Sequence, residues 1–147
     1  MIYISGAITA KTKKMEMANL KAGRKIAIEL CKLGIPHYSP HLSMWGFQHE
    51  PDLKEITWQD YINMDYDIIS RCSGMLMMDG WEGSKGAVAE HQYAVINCIP
   101  VFYAIKQILD YEPGNFAGKY DDIEKANRKI MQLLNVIEKA RAGLSVN

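Results

Sequence analysis

Residues 74–90 read Gly74-Met75-Leu76-Met77-Met78-Asp79-Gly80-Trp81-Glu82-Gly83-Ser84-Lys85-Gly86-Ala87-Val88-Ala89-Glu90. The first five form an unbroken apolar run, the pattern of a strand buried on both faces. Asp79 to Gly83 carry turn chemistry. Ser84 then stands where a helix N-cap belongs, ahead of a helix running to about Asn97. Strand, glycine-rich turn and helix in that order make one half of a βαβ unit, and the rest of the chain repeats the alternation.

Upstream, residues 1–5 read as a short buried strand ending at Gly6, and residues 13–33 as a helix with Leu20, Ala27, Leu30 and Leu33 near helical spacing, stopped by Gly34. Residues 35–39 make a second strand, closed by Pro40. Residues 40–56, with His41, Trp45, Phe47, His49 and Pro51, read as a long loop of the kind that often serves function. Thr57 with Asp60 has the form of a capping box, opening a helix to about Cys72. Downstream, residues 99–103 supply a further strand. Pro113-Gly114 marks a turn, and a last helix is expected from about Asp121 to Ala142.

The expected fold is therefore α/β. It is a flavodoxin- or Rossmann-like parallel sheet of four to five strands flanked by helices, with a C-terminal helix, in a single domain over residues 1–147. Ligands of such sheets bind at the carboxyl ends of the strands. That rule nominates Tyr3 to Gly6, the loop after Pro40, and Asp79 to Ser84.

Composition narrows the function. Apolar residues make up 48% and charged residues 23% of 147, enough for a real core. Seventeen basic and 17 acidic residues balance, so the basic excess of a nucleic-acid binder is absent and a small-molecule ligand fits better. Three cysteines, Cys31, Cys72 and Cys98, each in or beside an apolar run, read as buried thiols rather than a disulfide framework. No apolar run approaches a membrane span, and no basic region followed by a long apolar core opens the chain. A cytoplasmic location is expected.

Several residues could carry chemistry. The N–H groups at the start of the helix after Gly83 suit an anion, with Ser84 adding a hydroxyl and Gly86 allowing close approach. Glu90 lies about one and a half turns further on and can reach over the same pocket. Local pattern leaves open an ordinary capped helix with a solvated glutamate. Tyr3, inside an apolar strand, reads first as a core side chain, and Asp65 and Asp67 by default as surface carboxylates. Trp45, Phe47 and Trp58 stack on a base or cover the core. His41 and His49 lack the spacing of a metal site, so no metal is expected. His37 and His91 read as structural or solvated. No GxGxxG, GxxxxGK[ST] or GxSxG motif occurs, which disfavours dinucleotide binding, P-loop chemistry and a serine-hydrolase elbow.

Taken in order, Ile2-Tyr3-Ile4-Ser5-Gly6, Asp65 on its helix, and Gly80-Trp81-Glu82-Gly83-Ser84-Lys85-Gly86-Ala87-Val88-Ala89-Glu90 resemble the nucleoside 2-deoxyribosyltransferase-like superfamily. That group includes the transferases and the 2′-deoxynucleoside 5′-monophosphate N-hydrolases. The resemblance covers about residues 1–103 and implies cleavage of an N-glycosidic bond, by hydrolysis or base transfer, without a cofactor. It implies Glu90 as the nucleophile, Tyr3 as the residue orienting it, and Asp65 as a group binding the sugar or assisting the departing base. Ser84 stands where phosphate-preferring members place a serine. Ser5, Gly6, Asp79, Trp81 and Gly86 complete the expected binding set. Such members often carry an arginine after the first strand, where this chain has Ala7-Ile8-Thr9; Lys11, Lys13 or Lys85 are the available substitutes. The resemblance also implies a homodimer or larger homo-oligomer. The alternative is a nucleotide-binding module of the same fold without turnover.

Overall fold

The computed structural model describes residues 1–43 and 50–111. The chain divides into two units, Met1–Leu109 and Asp110–Asn147. Of the second, only Asp110 and Tyr111 are described, so the expected Pro113-Gly114 turn and the C-terminal helix lie outside the described residues. So do Trp45, Phe47 and His49.

The first unit alternates strands and helices: β1 (Ile2–Ser5), α1 (Lys13–Lys32), β2 (His37–Tyr38), a short α2 (Pro40–Ser43), α3 (Trp58–Ile69), β3 (Gly74–Met77), α4 (Lys85–Ile96), β4 (Val101–Phe102) and α5 (Ile105–Leu109). Single 3-10 turns at Pro51–Leu53 and Trp81–Gly83 precede α3 and α4. The four strands are parallel in the order β2-β1-β3-β4. The chain steps from β1 outward to β2, then crosses back over β1 to β3. The carboxyl ends of β1 and β3 therefore flank the point where strand order reverses, the place such sheets use for ligands.

The α/β expectation holds, with differences in detail. The 40–56 segment contains a helical turn, α2, instead of loop alone, and α5 was not foreseen. The helix expected to reach Cys72 stops at Ile69, where Ser70 takes the C-cap. Gly34, at φ +69°, ends the turn after α1 as expected, in a conformation that side chains disfavour. The capping box is present: the Thr57 hydroxyl accepts from the Asp60 amide, and the Asp60 carboxylate accepts from the Thr57 amide at 2.8 Å.

Period-two alternation in β1 does the positioning that matters. Tyr3 and Ser5 point to one face, Ile2 and Ile4 to the other. On the Tyr3 face lies a core of Tyr3, Ile69, Cys72, Met75, Met77, Ala87 and Ala94, against which α3 and α4 pack. Burying such side chains contributes roughly 1.5–3 kcal/mol each.

The cysteine expectation needs correcting. Cys72 is buried, but Cys31 and Cys98 are exposed, and none of the three forms a disulfide. The buried stripe of α1 runs through Glu16, Leu20, Gly23, Ala27 and Leu30, and Cys31 falls one residue, about 100°, off that stripe. Cys98 occupies the tight turn leaving α4, with φ of 57°.

Candidate active site

Glu90 is the centre of the arrangement. It sits in the second turn of α4 and is 6% exposed. Ser84 caps that helix, its hydroxyl accepting from the Ala87 amide at 3.3 Å, which fixes where the helix begins and so where Glu90 falls. Each carboxyl oxygen meets one hydroxyl from β1. The Tyr3 hydroxyl donates to Oε1 at 2.9 Å, and the Ser5 hydroxyl donates to Oε2 at 2.5 Å. Both donors are fully buried. Tyr3 is held in turn by stacking on Tyr38 of the neighbouring strand, with ring centroids 5.8 Å apart.

α3 contributes Asp65. The apolar residues of that helix did not decide between its two aspartates, and the structure does. Asp67 is exposed and lies 3.8 Å from Arg71, whereas Asp65 is half-buried and acts electrically on both Tyr3 and Glu90.

Burial dominates the electrostatics. It pushes the Glu90 carboxyl up to about 8, partly opposed by the Ser5 hydrogen bond and reinforced by the charge of Asp65. Asp65 is also raised by burial, an effect that its interactions with Tyr3 and Glu90 oppose. The Tyr3 phenol lies well above its ordinary value, because it is buried and faces both carboxyls, so it stays a donor. Two carboxyls with a phenol and a hydroxyl in one buried cluster form a set able to hold one exchangeable proton and one negative charge.

The remaining predicted residues take several places. Ser5, expected in the binding set, donates to Glu90. Gly6 follows it directly, and a Cβ there would stand 2.7 Å from the Met78 sulfur. Gly86 lies in the first turn of α4, where a Cβ would meet Ile62 Cδ1 at an ordinary 3.8 Å. Trp81 is half-buried, stacks on His91 at 4.4 Å and packs against the core that holds Tyr3. Asp79 is exposed on the turn after β3, and no hydrogen bond among the described residues ties it to the carboxyl cluster.

Sequence reasoning missed other members of the site's wall. Tyr66 stacks on Tyr93 at 4.2 Å and reaches the Ala89 carbonyl at 3.5 Å, locking α3 to α4 beside Glu90. Their positions, one residue after Asp65 and three after Glu90, were the available signal. His91 contacts the Tyr103 hydroxyl at 2.8 Å. Trp58, which was left between core and ligand roles, is exposed and carries the Lys85 ammonium 3.9 Å over its ring. Lys85 is thereby placed at the start of α4, beside Ser84; Lys11 and Lys13 are exposed. Among the described residues no group of three or more His, Cys, Asp or Glu side chains could hold a metal ion, and no helix is long and apolar enough to cross a membrane.

A family model described as "Domain of unknown function (DUF4406)" matches residues 1–103, the span that carries every residue of this cluster. No curated protein and no solved structure matches the chain.

Proposed function

The chain belongs to the DUF4406 family, whose description assigns no activity, and from the site itself we propose that it cleaves the N-glycosidic bond of a nucleoside or nucleoside 5′-monophosphate with Glu90 as nucleophile. One observation carries the reading. A buried carboxyl at the carboxyl edge of a parallel sheet has each oxygen engaged by a hydroxyl, with a second carboxyl beside it. The resemblance of β1, Asp65 and the 80–90 segment to the nucleoside 2-deoxyribosyltransferase-like superfamily supports the same assignment.

The geometry supports this chemistry. As the C1′–N bond breaks, its electron pair leaves with the base and positive charge develops on the sugar. A Glu90 oxygen forms the C1′–O bond, giving a glycosyl ester. In the reacting state the cluster's one proton lies on Asp65 and the negative charge on Glu90, and Asp65 supplies the proton that the departing base takes up. Water, or a second base, then attacks C1′, its proton passes back to Asp65, and the C1′–O bond breaks to release the Glu90 carboxylate. Tyr3 and Ser5 hold the carboxyl in one orientation, so little is reorganised at the moment of reaction. Burial, pushing the value up to about 8, keeps Glu90 mostly protonated at neutral pH, and a positive sugar beside it favours the ionised form. Ser84 and Lys85 at the start of α4 suit a 5′-phosphate. Association of copies is part of the same proposal; Val95 and Ile96, 56% and 77% exposed on α4, offer apolar surface for it.

The test is release of free base, followed by chromatography, from a panel of ribo- and deoxyribonucleosides and their 5′-monophosphates, with and without an acceptor base. Base released by the wild type and not by Glu90→Gln supports the proposal. A second reading, a nucleotide-binding module without turnover, is favoured by the burial that keeps Glu90 mostly protonated. Ligand binding without base release from any member of the panel would establish it instead.

A further inference from the structure

The turn leaving β1 is held at three consecutive residues. Ser5 donates to Glu90. Gly6 lies against Met78 with no room for a Cβ. The Ala7 carbonyl accepts a hydrogen bond from Nε2 of His41 at 3.1 Å.

His41 belongs to α2 and is 0% exposed. Its ring fills the space in front of α1, where a Cβ on Gly23 would stand 2.3 Å from the imidazole Cγ. With Nε2 donating to Ala7, Nδ1 is a bare acceptor, and it has no hydrogen-bond partner among the described residues. Burial keeps the ring neutral, with the Ala7 carbonyl acting in the opposite sense. An unpaired buried nitrogen costs stability, whereas an apolar side chain would fill the same space without that penalty. Packing therefore does not account for an imidazole here; the single bond to Ala7 does. That bond ends next to Gly6 and two residues from Ser5, at the carboxyl edge of β1.

We infer that His41 is a positioning residue: through the Ala7 carbonyl it fixes the turn after β1, which keeps Ser5 on Glu90 and the turn's polar groups in place at the edge of the candidate site. It touches no reacting atom. The consequence for turnover rests on the proposed role of Glu90; the consequence for the turn does not.

The test compares His41→Gln with His41→Met. The two side chains are close in volume and reach, but only glutamine offers an N–H. Amide exchange of residues 6–10, the carbon-13 titration of the Glu90 carboxyl, and base release are read on both variants and on the wild type. In His41→Met the turn amides exchange at least about tenfold faster while those of Met75 and Leu76 do not change. Its Glu90 titration moves toward the ordinary carboxylate range as water enters, and its kcat falls by about tenfold or more. His41→Gln stays near wild type in all three. Turn exchange and Glu90 titration unchanged in His41→Met, or equal damage in both variants, would overturn the inference. Should the wild type release no base, the glycosidic reading fails while exchange and titration still decide the role of His41. Should His41→Met not fold, the wild-type imidazole decides: a nitrogen-15 spectrum showing the Nε2–H tautomer with a slowly exchanging proton is required, and the Nδ1–H tautomer contradicts the inference.

Discussion

Ser5 donates its hydroxyl hydrogen to Oε2 of Glu90 at 2.5 Å, joining two residues 85 positions apart in the chain. This bond and its companion from Tyr3 define the orientation of the buried carboxyl. The Ser5 bond also lowers the Glu90 value, against the larger effect of burial. Removing it has a definite sign.

Ser5→Ala raises the Glu90 value further, so the rise of kcat/KM with pH, set by ionisation of Glu90 in the free protein, moves to higher pH. With burial pushing Glu90 up to about 8, the wild-type rise should fall well above the ordinary carboxylate range. At neutral pH kcat/KM falls by about 10- to 100-fold, the worth of one hydrogen bond to a charged group. A pH–rate profile of wild type and variant checks both.

Tyr3→Phe keeps the ring and its stacking on Tyr38 while deleting the donor to Oε1. Stability should change by only about 1 kcal/mol, while kcat falls by about tenfold or more. Denaturant unfolding beside steady-state kinetics separates the two effects.

Glu90 gives a stability signature that needs no substrate. Its folded value lies above the ordinary 4.5, so the folded protein binds more protons than the unfolded chain between 4.5 and about 8. Stability contributed by this group is therefore fully present below 4.5, falls as pH rises through that window, and levels off above it. Glu90→Gln removes the loss. The variant should melt at a higher temperature than the wild type near pH 8 and converge with it below 4.5. Thermal melts across pH measure this directly.

Gly6→Ala places a Cβ 2.7–2.9 Å from the Met78 side chain. Overpacking of this kind costs about 1–3 kcal/mol, and Met78→Ala in the same chain should recover most of it. Recovery in a double-mutant cycle checks that Met78 is the obstacle.

Thr57→Ala is the control. It deletes the cap at the start of α3, eight residues before Asp65, and should lower stability by about 0.5–2 kcal/mol with little change in kcat.

Local chemistry made much of the fold legible. Gly34, Thr57 with Asp60, and Ser84 mark element ends through caps and turns that depend on a few neighbouring residues, and all three mark them correctly. The strand–helix alternation followed from apolar runs and spacing. Two kinds of feature were not legible. Ser5 and Glu90 meet only because the sheet and α4 bring them together, and no local pattern reports a partner 85 residues away. Burial around a helix was the other: Asp65 and Asp67 stand about 200° apart around α3, and Leu30 and Cys31 about 100° apart around α1, and local spacing did not tell which side faces the core. His41 combined both difficulties, since its loop hid a helical turn and its partner Ala7 is 34 residues away.

The central claim is that a Glu90 oxygen becomes bonded to the sugar as the base departs. Wild-type protein and Glu90→Gln should each be mixed rapidly with the nucleoside or nucleotide that yields base, quenched in acid, and the peptide containing residue 90 weighed by mass spectrometry. The account predicts a burst of base near one equivalent per site in the wild type, matched by a glycosyl mass on Glu90, with neither in the variant. Base release with no adduct and no burst, or release by Glu90→Gln at the wild-type rate, would contradict it.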